Sequence, residues 1–354
     1  MAIEIKRHLK NLYRANPEAF SRRGFLRLDM NESVTGLPRD FVRRSFGRVD
    51  PQFLAAYPEY TCLQRKIALH NKLRPENIIL ANGSDAAIKY IFDAFISRGD
   101  KILLTEPTFA MYPVYCKMFA AKAITVKYNS DLSFPGREFL NRIKPGLKMA
   151  AVVNPNNPTG STIEPSVLSA ILKRTAANDV LLVVDEAYFY FYPFSVIQQV
   201  KKYKNLIVLR TFSKLCGMAS LRLGYAASCA QVIESLRKVR PTYDANGLVV
   251  YLAEELLDNP GVIQKLVKSA NAGKKYLAQR LSGAGIEHIE GRANFILIKC
   301  RGEAERTVRQ LKEKNILVAG GFKLAFLKDY IRVSVGDRVI MEKFCEIFFK
   351  IRKV

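Results

Sequence analysis

The chain has 354 residues, of which 49% are hydrophobic and 25% charged. That is enough for two packed domains with sizeable cores, and too apolar for a disordered chain. Its net charge of +24 invites a nucleic-acid reading, but the excess is spread along the chain with no long basic run. Residues 201–250 hold nine Lys/Arg against two Asp/Glu, and 151–200 hold two against four. A solvated basic surface that attracts anionic small molecules is expected, with no nucleic-acid groove.

In chain order, apolar runs bounded by turn signals occur at 78–81, 101–104, 149–153, 180–184, 206–209 and 223–227. They read as strands, and helical patterns lie between them. After Gly83, the residues Ile88, Ile91, Phe92 and Phe95 fall at i, i+3, i+4 and i+7, one buried helical stripe. Ser84 and Asp85 stand where an N-terminal cap belongs. This alternation predicts an α/β domain with a mostly parallel sheet sandwiched by helices. From about Asn246 the texture changes to a long helical region (261–281), a strand (294–299), a charged helix (303–314), a strand (330–335) and a terminal helix from Met341. The expected organisation is a large domain over 38–245 and a smaller α+β domain over 246–354, with an arm (1–37) packed on the smaller one.

No apolar run approaches the roughly 18 residues that would span a bilayer. The opening MAIEIKRHLKNLYRANPEAF lacks the apolar core of a signal peptide. Cys62, Cys116, Cys216, Cys229, Cys300 and Cys345 form no C-x-x-C pair and read as free thiols. A soluble cytoplasmic protein without a membrane partner is expected. His8, His70 and His288 are in no H-x-x-x-H spacing. They read as structural residues, and neither a metal centre nor a Ser-His-Asp machine is expected.

Four patterns carry chemistry. Asn154-Pro155-Asn156-Asn157-Pro158-Thr159-Gly160 makes a rigid, irregular loop at a strand's carboxyl end, where open α/β sheets place ligands. Asp185-Glu186, closing a buried strand before Ala187-Tyr188, could hold a metal, cap a helix or pair with a protonated ring nitrogen. Clustered further ligands for a metal are lacking. Lys214 follows Thr211-Phe212-Ser213 at the end of an apolar strand, where desolvation lowers an amine's pKa and activates it for Schiff-base chemistry. Ser213 and Arg222 suit a phosphate, the latter through its guanidinium fork. Asn82-Gly83-Ser84-Asp85 enters a helix, whose first N–H groups form an anion site. Together these ask for a cofactor with a phosphate, a carbonyl and a basic ring nitrogen. Pyridoxal 5'-phosphate has all three.

At this point the chain resembles the fold-type I pyridoxal-phosphate enzymes, specifically the aminotransferases that include histidinol-phosphate aminotransferase. The resemblance runs from Leu28-Asp29-Met30-Asn31-Glu32 to Tyr330-Ile331-Arg332-Val333-Ser334-Val335-Gly336. Between them, in family order, come Tyr57-Pro58-Glu59-Tyr60, Asn82-Gly83-Ser84-Asp85 and Glu106-Pro107-Thr108-Phe109. It implies a transaminase acting on an L-amino acid, phosphorylated or otherwise anionic, and a 2-oxo acid. Lys214 would bind the cofactor and shuttle the substrate proton, and Asp185 would keep the pyridine nitrogen protonated. Tyr188 and Asn157 would hydrogen-bond the phenolic oxygen, and Phe109 would stack on the ring. Gly83, Ser84, Asp85, Ser213 and Arg222 would surround the phosphate. Tyr57 would reach that phosphate from a second subunit, which implies a homodimer with shared active sites. Arg332 would clamp the α-carboxylate, and Asn31 would line the substrate side.

One departure stands out. Histidinol-phosphate aminotransferases commonly carry an arginine for the substrate phosphate in a small-domain segment that here reads Ile316-Leu317-Val318-Ala319-Gly320-Gly321-Phe322-Lys323. Ala319 occupies that place, and a methyl group cannot replace a bidentate clamp. Lys323 could compensate as a point charge. An alternative on the same residues is a decarboxylase similar to threonine-phosphate decarboxylase. A basic binding protein on a vestigial enzyme fold is a third, opposed by the intact Lys214, Asp185 and Arg222.

Overall fold

The computed structural model describes residues 3–12 and 20–352. Strand β1 (Leu26–Leu28) precedes a seven-stranded sheet built from β2 (Ile78–Ala81), β3 (Lys101–Glu106), β4 (Lys122–Lys127), β5 (Met149–Val153), β6 (Leu181–Asp185), β7 (Leu206–Thr211) and β8 (Gly224–Ala227). The spatial order is β2-β8-β7-β6-β5-β3-β4. Strand β8 runs antiparallel to both neighbours, and the other pairs are parallel.

Strands β5, β6 and β7 are buried almost throughout because helices cover both faces. Alternate residues feed two separate cores. Val152, Leu182, Val184 and Val208 point to one, Ala151, Val153, Val183 and Ile207 to the other. Helix Gly83–Phe95 lays Ile88, Ile91 and Phe92 on the second core, as its stripe predicts.

The remaining strands are β9 (His288–Ile289), β10 (Phe295–Lys299), β11 (Ile316–Val318) and β12 (Tyr330–Ser334). They form an antiparallel sheet in the order β12-β10-β9 and a parallel pair of β1 with β11. A bridge between Ala319 and Arg332 joins the two. Helices Pro260–Gly283, Ala304–Glu313 and Arg338–Arg352 close a third core around Leu277, Leu281, Ile298, Leu311, Phe344 and Phe348.

Three placements differ from expectation. Strand β4 is an edge strand with only Val126 buried, so it lacks the apolar run that marks its neighbours. Helix Gly247–Asp258 packs Val249, Leu252, Ala253 and Leu256 into the core of the large sheet, so the texture change at Asn246 is not a change of core. The amino-terminal arm divides. Beta pairing takes Leu26–Leu28 to β11, whereas the turn Arg7–Leu9 lies near helix Met111–Met118, with His8 Nε2 3.1 Å from Met118 O. Residues 1–2, 13–19 and 353–354, which also fall within the expected arm and terminal helix, lie outside the described residues.

The acidic pair ending β6 splits across the sheet, since successive residues face opposite ways. Glu186 turns away from Asp185 and is buried against Arg210, whose Nε and Nη2 donate to its Oε2 at 3.0 and 2.9 Å. Ser195 Oγ and Val196 N–H also donate to Glu186, and Arg210 stacks on the Phe189 ring at 3.8 Å. Truncating one member of such a pair leaves a buried charge. Glu186→Ala is therefore expected to cost about 3–5 kcal/mol of stability, read as a lower denaturant midpoint. A shift within error would show that the pair is dispensable.

Candidate active site

The carboxyl ends of β5, β6 and β7 converge with the start of helix Gly83–Phe95 on a cleft of about 690 Å³. Ser84, Asp85, Phe109, Asn157, Asp185, Tyr188, Ser213, Lys214 and Arg222 line it. Nine residues singled out by sequence thus meet in one cavity. A larger cavity of about 1550 Å³ shares Phe109, Asn157 and Lys214 and adds Met30, Asn31, Lys323 and Arg332.

Asp185 forms the floor. It is buried, its Oδ1 accepts from Ala187 N–H at 3.0 Å, and its Oδ2 accepts from Tyr112 O–H at 3.3 Å. Burial outweighs these contacts and pushes its pKa up to about 6. Asp185 makes no ion pair among the described residues, with Lys214 acting on it only through space, so it can take up a cation such as a protonated pyridine nitrogen. Tyr112 was not foreseen, because it pairs with a residue 73 positions away and nothing local marks it.

Lys214 is half-buried, and its Nζ donates to Met30 O at 3.0 Å. Desolvation, then Arg332, with Arg222 adding a smaller effect, lowers the amine to about 8, while Glu32 and Asp185 oppose the shift. Roughly half the amine is thus neutral, hence nucleophilic, near pH 8.

At the anion end, Asn82 occupies the N-cap position and the helix begins at Gly83. Ser84 and Asp85 therefore stand inside the first turn instead of capping it, with their N–H groups at the positive amino-terminal end of the helix. Gly83 has φ +80°, and a Cβ there would fall 2.4 Å from Arg222 Nη2. Only glycine lets the guanidinium close on this turn. Arg222 itself is left-handed at φ +62°, a conformation uncommon for a branched-free but bulky side chain and found where position matters. Ser213 N–H donates to Thr211 Oγ1 at 3.1 Å. This cradle of helix N–H groups, hydroxyl and guanidinium fits a phosphate.

On the substrate side, Asn31 Nδ2 donates to Tyr188 O–H at 2.9 Å. Asn31 is held in turn by Ser334 and by Asn294 Nδ2, which donates to its carbonyl at 3.0 Å. Arg332 donates to Asn157 Oδ1 and to Asp29 O, and its buried Nε has no hydrogen-bond partner. Sequence reasoning expected an anion beside this arginine. Its hydrogen bonds go to neutral oxygens, and the Asp29 charge acts on it only through space, so a ligand anion can still pair with it. Ala319 pairs with Arg332 across the bridge, which puts both side chains on one face. Tyr57 lies outside the cleft of its own chain. It is 74% exposed and stacks on Tyr243 at 4.2 Å, next to the exposed Leu54.

The sequence matches the family described as "Aminotransferase class I and II" over residues 29–348. The chain belongs to this family. It is a fold-type I, pyridoxal-phosphate-dependent transaminase. The histidinol-phosphate aminotransferase of Caldanaerobacter subterraneus is 34% identical over 317 residues, 88% of each chain. Histidinol-phosphate aminotransferase 1 of Carboxydothermus hydrogenoformans is 33% identical, covering 91% of this chain and 93% of its own. In fold, the chain is similar to the crystal structure of histidinol-phosphate aminotransferase from Sinorhizobium meliloti in complex with pyridoxal-5'-phosphate. That likeness has a TM-score of 0.87 at 20% identity and covers 99% of each chain. These relatives are transaminases, and the decarboxylase reading is not favoured. No helix among the described residues is long and apolar enough to cross a membrane.

Proposed function

We propose that this transaminase handles its substrates through the residues gathered in the cleft, and that it prefers an amino acid whose side chain is anionic. The observation that carries the reading is the placement of a buried carboxylate (Asp185) in one cavity and an arginine with an unpartnered Nε (Arg332) in the next, with the amine of Lys214 lining both. Bound pyridoxal phosphate supplies a carbonyl for amine exchange and an electron-withdrawing ring.

Asp185 pairs with the protonated ring nitrogen and holds that proton in place. Ser84, Asp85, Ser213 and Arg222 grip the phosphate, with Gly83 clearing space for the guanidinium. Phe109 covers the ring face. Tyr188 donates to the phenolic oxygen, as does the amide of Asn157, whose Oδ1 is occupied by Arg332. Lys214, whose amine lines the cleft, would hold the cofactor through its carbonyl. The same amine, free of the cofactor, would serve as the base that takes the proton from the substrate Cα. Arg332 clamps the α-carboxylate, and Asn31 keeps Tyr188 in register beside it.

A histidinol phosphate substrate, as named for the relatives, meets an obstacle in Ala319, which leaves that face without a second guanidinium. Lys323 lines the same large cavity as Arg332 and offers a point charge. The expected result is that amino donors with anionic side chains bleach the cofactor band near about 420 nm and raise one near about 330 nm. If no amino acid in a broad panel does so, the reading of the site fails. If only uncharged side chains react, the part given to Lys323 fails. The exposed Tyr57–Tyr243 stack supports a homodimer in which Tyr57 of each copy completes the other's phosphate site. Sedimentation showing a monomer would sink that assignment. The free thiols support a cytoplasmic setting.

A further inference from the structure

The long helix Pro260–Gly283 carries one side chain turned inward onto the loop before β10. Lys274 Nζ donates to Gly291 O at 2.9 Å and to Ala293 O at 2.8 Å. Burial lowers this amine to about 8, with Glu290 favouring the charged form and Arg292 opposing it. Surface helices rarely direct a lysine at two backbone carbonyls, since an ammonium is normally better solvated by water.

The segment it grips touches the active site on two sides. Towards the large sheet, Arg292 N–H donates to Gly160 O at 2.7 Å, and a Cβ on Gly291 would fall 2.8 Å from Gly160 Cα. Gly160 closes the loop that carries Asn157. Towards the substrate side, Asn294 holds Asn31, and the Phe295 ring stands edge-on to Tyr188 with centroids 5.8 Å apart. The same ring faces the Arg332 guanidinium at 5.3 Å.

We propose that Lys274 is a positioning residue for the transamination. By tying the Gly291 and Ala293 carbonyls to the helix, it sets Asn157, Tyr188 and Arg332 together, without contacting any ligand. The inference rests on the roles assigned to those three residues above.

The test uses reconstituted holoenzyme of wild type, Lys274→Met and Lys274→Arg. Lys274→Met should lose about 10- to 100-fold in kcat/KM, as a misplacement remote from the chemistry can. Most of the loss should appear as a raised KM for the amino donor. The pH midpoint of the cofactor's visible absorbance should move as well, because Tyr188 and Asn157 bear on its phenolic oxygen. Lys274→Arg, which keeps the donors, should recover most of both. Wild-type kcat, KM and absorbance midpoint in Lys274→Met, whatever its melting temperature, would overturn the proposal. Should Lys274→Met fail to fold, Lys274→Leu, which also has no donor for the two carbonyls, is read by the same midpoint, with an unmoved value again refuting the role. A wild-type protein that does not transaminate would refute the underlying roles and not Lys274's part in them.

Discussion

Lys214→Ala should reduce turnover by about 10⁴-fold or more, since both the covalent attachment and the proton transfer depend on one amine. The fold should survive. The side chain's Nζ bonds only to the Met30 carbonyl among the hydrogen bonds of the described residues, and truncation removes a partly desolvated amine that Arg332 and Arg222 repel. The melting curve of the variant should therefore stay close to wild type while borohydride treatment fixes no cofactor to the chain. Retained full activity, or an adduct on another lysine, would refute the assignment.

Asp185→Asn should separate stability from activity. The buried carboxyl titrates at about 6 in the cofactor-free protein, above its ordinary 3.8. The folded protein thus binds this proton more tightly than the unfolded chain does. That contribution to stability is complete below about pH 4 and is lost as the pH rises through about 6. At neutral pH the ionised group disfavours the folded apoprotein by about 3 kcal/mol. An isosteric amide removes the charge and keeps both contacts, because the Tyr112 hydroxyl can accept where it had donated. Cofactor-free Asp185→Asn is expected to unfold at higher denaturant than wild type at neutral pH, with the gap closing on acidification. Turnover should meanwhile fall by at least about 10²- to 10³-fold, as the ring proton loses its counter-charge. Wild-type cofactor affinity should weaken below about pH 6, and that step should be missing from the variant. Equal turnover in the two proteins would show that the carboxylate does not pair with the ring.

Much of the site was legible because its parts are local. Lys214 with Ser213, Asp185 with Tyr188, and Asn157 within its proline-rich loop each stand at a strand end that apolar patterning marks. Tyr112 and Asn294 were not legible. Each earns its place by a single contact to a residue far along the chain, and such contacts leave no periodicity. The same holds for Glu186, which adjoins Asp185 in sequence yet belongs to the opposite face and to Arg210. Edge strand β4 was missed since one buried residue in six gives no apolar run.

By itself the sequence determined the alternation of strands and helices, which residues are candidates for the amine, the carboxylate and the phosphate grip, and the presence of alanine at 319. These depend on side-chain chemistry and short-range pattern. Only the tertiary structure decided that helix Gly247–Asp258 serves the large core, that Arg332 donates to the neutral oxygens of Asn157 and Asp29, and that Lys274 holds the Gly291 and Ala293 carbonyls. Those outcomes follow from which surfaces come to lie face to face, and burial, charge pairing and close backbone approach exist only once they do.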